Sequence, residues 1–147
     1  AGWYASGTEV VFACGGSMFQ SVLSAASEYE NAKIIGVDVD QSAESSKVIT
    51  SAMKGLSASV ERILGQFYDD KWDSELADKA QNLGAAEGAT GLPEDTWSMK
   101  NFTVEQYRAL FKKVADGEIV PDSKTPDDAN NADWLKGIPN VTIDFEA

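Results

Sequence analysis

The sequence predicts an α/β fold built on a parallel sheet, and three observations carry that prediction. Short apolar runs rich in β-branched residues stand at 9–14 (EVVFAC), 32–39 (AKIIGVDV) and 47–51 (KVITS), with the length and composition of strands. Between the first two lies a segment whose apolar residues recur at helical spacing. The runs show few alternating polar residues, as expected of strands buried on both faces. Strand–helix–strand order then favours parallel pairing through right-handed crossovers, with helices on both faces of the sheet.

Taken in order, the first run is bounded by Gly7 on one side and by Gly15 and Gly16 on the other, so a buried strand ends in a glycine turn. From there Met18, Phe19, Val22, Leu23, Ala26 and Tyr29 line one face of a helix, with Ser17 as its N-cap. Glu30 and Asn31 form a turn into the second strand, and KVITS gives a brief third. A long helix is expected over 52–68, because Met53, Leu56, Val60, Ile63, Leu64 and Phe67 fall on one stripe, weakened locally by Gly55.

Residues 69–90 are less regular. Trp72 sits among charges, and LGAAEGATGLP suggests a strand or an extended crossover in which backbones approach closely. Residues 103–117 (TVEQYRALFKKVADG) give the clearest amphipathic helix, with Thr103 as N-cap, Gln106 as its capping-box partner and Gly117 as the stop. Val104, Tyr107, Leu110, Phe111 and Val114 are its core face. Beyond Pro121 the chain is turn-rich and polar, with a possible terminal edge strand over 138–145.

A chain of 147 residues is of single-domain size and long enough to bury a core. Its 24 acidic against 12 basic residues give a net charge of −12, which repels phosphate backbones and argues against nucleic acid as a partner. There is no histidine and one cysteine, Cys14. Ser-His-Asp and Cys-His catalysis within the chain are thereby excluded, as are the usual His and Cys zinc sites and an internal disulfide. No cofactor is implied. No apolar run reaches the roughly 18 residues of a membrane span.

Three features are candidates for a site. The Gly15–Gly16–Ser17 turn joins a strand to a helix, where free N–H groups can meet ligand oxygens, although such turns also occur for steric reasons alone. Asp38 and Asp40 stand at or just past the end of the second strand, where open α/β sheets bind ligands. Two apart in extended chain, both carboxylates can face one crevice and accept hydrogen bonds from the adjacent hydroxyls of a sugar, or both can simply cap the strand. Lys54, read as the start of the following helix, can reach the same crevice or remain a solvated residue. Trp3, Trp72, Trp97 and Trp134 read as packing residues more readily than as plates for stacking a base.

The stretches GTEVVFACGGSMFQSVLSAA, KIIGVDVDQSAESSKVITSAMKG and LGAAEGATGLPEDTWSMKNFTVEQYRALFKKVADGEI resemble, in order and spacing, the later half of the basic membrane protein family. The resemblance covers roughly residues 2–120. Members are extracytoplasmic lipoproteins serving ABC importers, and many bind purine or other nucleosides. The resemblance implies a type I periplasmic-binding-protein fold, with two α/β lobes and a ligand in the cleft between them.

On that reading residues 1–79 are the second lobe, 80–120 a crossover and helix belonging to the first, and 121–147 a polar loop with the possible terminal strand. The family pattern carries a ligand-binding role onto Gly15, Gly16, Asp38 and Lys54. It implies a nucleoside ligand, an ABC permease as partner, no catalysis, and attachment to the cell membrane only through a lipid anchor upstream of Ala1. Two alternatives are the effector-binding domain of a transcription regulator and an Mg²⁺-dependent receiver-like domain. The receiver needs an acidic pair after the first strand, where this chain has Cys14, Gly15 and Gly16.

Overall fold

The structure, a computed structural model, describes residues 1–121. Its centre is a four-stranded sheet in the order β1 (Val10–Phe12), β2 (Lys33–Asp38), β3 (Val48–Lys54) and β4 (Thr90–Gly91). β1 pairs parallel to β2, and β2 parallel to β3, while β4 runs antiparallel to β3. The helices are α1 (Gly2–Ala5), α2 (Met18–Ser27), α3 (Leu56–Tyr68) and α4 (Val104–Ala115). A parallel-dominated α/β sheet is therefore present, as the apolar runs predict.

The core lies between α2 and the sheet. Val11, Ile34 and Val48 from the strands, Phe19 and Ala26 from α2, and Tyr4, Ala13 and Ala32 form one buried cluster, flanked by Val22, Leu23 and Tyr29. Phe19 and Ile34 are shut off from solvent altogether. The expected helix face therefore packs as read, except that Met18 is 55% exposed. α1, which the sequence does not announce, buries Tyr4; its hydroxyl donates to the Lys33 carbonyl (2.9 Å) and its ring lies 5.9 Å from that of Tyr29.

Four expectations change. Ala52, Met53 and Lys54 are strand, because Asp38 pairs with Met53 on one side of β3 while Gly91 and Thr90 pair with Met53 and Lys54 on the other; α3 begins only at Leu56. Ser17 stands at the N-cap position of α2, but its backbone is already helical (φ −68°, ψ −8°) and its side chain makes no capping bond. An N-cap side chain reaches back over the first turn from extended backbone, which Ser17 lacks. Helical cover on both faces is not found among the described residues: Val10 and Phe12 on β1 are 41% and 50% exposed. The stripe of α3 is likewise open at Leu56, Val60, Leu64 and Phe67, and that helix packs mainly on a π turn at Trp72–Leu76.

α4 follows the sequence closely. Thr103 is extended, its Oγ1 accepts the Gln106 N–H (3.2 Å), and the Gln106 side chain accepts the Thr103 N–H (2.8 Å). Tyr107 is buried and Leu110 is 46% exposed, so the buried stripe is narrower than expected. Tyr107 packs against Trp97 ahead of the helix and Phe111 one turn on within it, ring centroids 5.4 and 5.7 Å apart, forming an aromatic nucleus separate from the sheet's core. The expected terminal strand at 138–145 and Trp134 lie outside the described residues.

Candidate functional site at the carboxyl end of the sheet

β1 is the shortest of the parallel strands, and its end opens the sheet. Lys33 N–H donates to the Glu9 carbonyl and Ala13 N–H to the Ile35 carbonyl, so alternate residues of β2 face β1. The next in that series, Val37, finds no partner on β1, because the Ala13 carbonyl is taken by Gly15 N–H as the chain turns away. Gly15 and Gly16, the latter at φ +40°, make that turn. A crevice is left at the carboxyl end of β2 and β3, the place where parallel sheets bind ligands.

Asp38 ends β2 inside this crevice. Its φ is +70°, and Val39 N–H donates to the Val37 carbonyl (2.9 Å), so Asp38 is the centre of a γ-turn in the left-handed region. Such turns are rare and strained, and a non-glycine residue held there costs about 1 to 3 kcal/mol. The carboxylate Oδ1 is closed off from solvent and lies 2.6 Å from the Lys54 ammonium, which stands on the last residue of β3. That oxygen takes no well-angled hydrogen bond, so the ammonium charge is what compensates it. The contact with Asp38, and then its charge, hold the Lys54 ammonium above the usual lysine range.

Asp38, Val39, Asp40, Met53, Lys54, Gly55, Gly88, Thr90 and Gly91 line a cavity of about 220 Å³. One wall is backbone: a Cβ on Gly55 would lie 2.6 Å from the Gly88 carbonyl oxygen, so the 88–91 segment closes against the start of α3 only because residue 55 has no side chain. Asp40 shares the cavity but is engaged within the fold, accepting the Ser42 N–H (3.0 Å) and the Thr96 hydroxyl (2.7 Å). Burial raises its pKa, and the bonds from the Ser42 amide, Thr96 and the Ser42 side chain outweigh that and hold the carboxyl below the ordinary value.

Of the four residues singled out from the sequence, Asp38 and Lys54 are therefore in contact. Lys54 arrives from the end of a strand, not from the start of a helix. Gly15 and Gly16 stand at the same end of the sheet, after β1, but do not line this cavity. Gly88, Thr90 and Gly91 were not legible, since they reach the site through the antiparallel return of β4. Gln41, whose side chain takes over the Val37 N–H, was also missed. No group of three or more acidic or cysteine side chains able to hold a metal occurs among the described residues, and none of the described helices is long and apolar enough to cross a membrane.

The profile of the Bmp family, ABC transporter substrate-binding proteins that are PnrA-like, matches residues 2–124. A solved structure of a solute-binding protein of an ABC transporter system from Aeropyrum pernix K1 is similar in fold, with a TM-score of 0.59 at 20% sequence identity. The alignment covers 92% of this chain and 45% of that one, so the chain spans less than half the length of its structural relative. No curated protein matches. A parallel-sheet lobe of periplasmic-binding-protein type and a family match over most of the sequence agree, and the chain belongs to the Bmp family of PnrA-like ABC transporter substrate-binding proteins.

Proposed function

We propose that this chain supplies one lobe of an extracytoplasmic solute-binding component of an ABC importer, and that its crevice grips the sugar of a purine or related nucleoside. Residues 1–79 form the lobe, residues 80–120 cross toward a first lobe, and the ligand is enclosed between the two, with Gly15 and Gly16 allowing close backbone approach. Asp38 accepts from the ribose hydroxyls, and Lys54 donates to the ligand while holding the Asp38 carboxylate in place. Closure presents one surface to a membrane permease. In the whole protein a lipid anchor provides attachment to the membrane.

The observation that carries this reading is the strained Asp38 facing Lys54 at 2.6 Å over the cavity. An ion pair whose lysine side chain is 62% exposed is screened by solvent and adds little to stability, so it does not offset the strain of holding Asp38 at positive φ. Stability alone does not account for the arrangement, whereas a carboxylate aimed at a ligand does. Calorimetry of the intact protein with inosine, guanosine, adenosine and cytidine tests it. Asp38→Ala should cost about 1.5 to 3 kcal/mol of binding, roughly tenfold to a hundredfold in Kd, and unchanged affinity would remove Asp38 from the site.

A further inference from the structure

The link from β2 to β3 crosses residues 39–47 with only a short 3₁₀ turn at Ser42–Glu44, so no helix braces the end of β2. The γ-turn at Asp38 nevertheless has a support. Gln41 Oε1 accepts the Val37 N–H (2.9 Å), filling the place that β1 leaves vacant when Gly15 takes the Ala13 carbonyl. The Gln41 N–H in turn donates to Ser51 Oγ (3.0 Å), and Ser51 on β3 is fully buried. Gly36 makes room for both: a Cβ there would lie 2.5 Å from Gln41 Oε1 and 2.6 Å from Ser51 Oγ.

We propose that Gln41, anchored by Ser51, is a positioning residue for ligand binding: it clamps the Gly36–Val37 peptide at the entry to the turn and so holds the Asp38 carboxylate in its left-handed turn against Lys54. This rests on the reading of Asp38 as the group that holds the ligand. Gln41 does not line the cavity, so it acts through Asp38 and not by touching the solute. A strained turn persists only where its neighbours over-determine it. Here one side of Asp38 is fixed by the amide of Gln41 and the other by the Val39 N–H.

A brace that merely closed the loop would affect stability and nothing else, so the decisive readout is Lys54. Its ammonium titrates above the ordinary lysine value because Asp38 touches it, with Cys14 a smaller influence that Gln41 does not reach. In the intact protein, Gln41→Met keeps the side chain's length but removes the acceptor, whereas Gln41→Glu retains an oxygen for the Val37 N–H. NMR of the Lys54 Cε resonance should show its titration fall toward the ordinary lysine value in Gln41→Met, while the Val37 N–H should lose hydrogen-exchange protection in Gln41→Met and keep it in Gln41→Glu.

Inosine affinity measured by calorimetry should fall about tenfold in Gln41→Met, and by less than twofold when the same change is made in an Asp38→Asn background, the non-additivity expected of residues acting as a unit. If Gln41→Met fails to fold, Ser51→Ala removes the anchor and should shift Lys54 in the same direction. Lys54 titration and inosine affinity both unchanged in a folded variant would overturn the proposal. Should the unsubstituted protein bind no nucleoside, the nucleoside reading falls while the Lys54 titration still decides whether Gln41 positions Asp38.

Discussion

Gly55 and Gly88 meet backbone to backbone: a Cβ on Gly55 would be 2.6 Å from the Gly88 carbonyl oxygen and 2.8 Å from Ala89 Cα, and Gly55 N–H donates to the Ala89 carbonyl (2.8 Å). This contact joins the end of β3 to the β4 segment and closes one side of the cavity. Gly55 has a negative φ of −75°, so any side chain's penalty here is steric and not conformational. Because the opposing atoms are main chain, they cannot swing aside. Gly55→Ala should cost about 1 to 3 kcal/mol in urea unfolding, the range for overpacking, and should weaken ligand binding together with stability.

The segment after β4 is held by a tyrosine. Tyr107, buried in α4, accepts the Leu92 N–H on its hydroxyl (2.8 Å), which ties the helix to the residues leaving the sheet. Tyr107→Phe keeps the ring contacts with Trp97 and Phe111 and strands that amide. The expected loss is about 1 kcal/mol, the low end for leaving a donor unpaired, because the Leu92 amide is only partly buried. Hydrogen exchange checks the assignment directly, since Leu92 should lose protection by more than the protein as a whole.

Asp40 is the site's acid-sensitive strut. Its carboxyl stays ionised below the ordinary aspartate value because bonds from Ser42 and Thr96 outweigh the cost of its burial. A group with a depressed pKa adds stability above its unfolded value, near pH 3.9, and loses it as pH falls through the folded value. The carboxylate is only partly buried and solvent screens it, so the contribution is less than about 1 kcal/mol. Asp40→Asn should therefore be slightly less stable than the unsubstituted protein at pH 7, and the difference should shrink in urea titrations as the pH falls below the ordinary aspartate value.

How far the sequence discloses this site depends on the range of the interactions involved. The Thr103–Gln106 capping box spans four residues and is visible without the fold, as is the apolar face of α2. Asp38 is legible because a strand's carboxyl end is a general place for ligands, whatever the neighbouring strands do. Residues 52–54 mislead, since Ala, Met and Lys favour helices and continue the stripe of α3, yet pairing with β2 on one side and β4 on the other overrides that preference. Gln41 is beyond reach for a related reason. Its role exists only because β1 stops two strands away from Ser51 and leaves the Val37 N–H without an acceptor on that side.

Lys54 sets the opposite limit of pH. Its ammonium is held above the usual range by Asp38, and a base with a raised pKa contributes below its unfolded value, near 10.4, losing that contribution as pH rises through the folded value. The contribution of the Lys54 charge should therefore hold through neutral and mildly alkaline pH and be lost in strong alkali. Lys54→Met removes the charge while keeping most of the stem, leaving Asp38 Oδ1 shut from solvent beside an apolar group. Its carboxylate should then turn outward, and nucleoside affinity should drop about tenfold at neutral pH, the effect of a lost bond to a charged group. Calorimetry at pH 7 measures that drop, and an affinity for Lys54→Met equal to that of the unsubstituted protein would mean that the lysine only neutralises its neighbour.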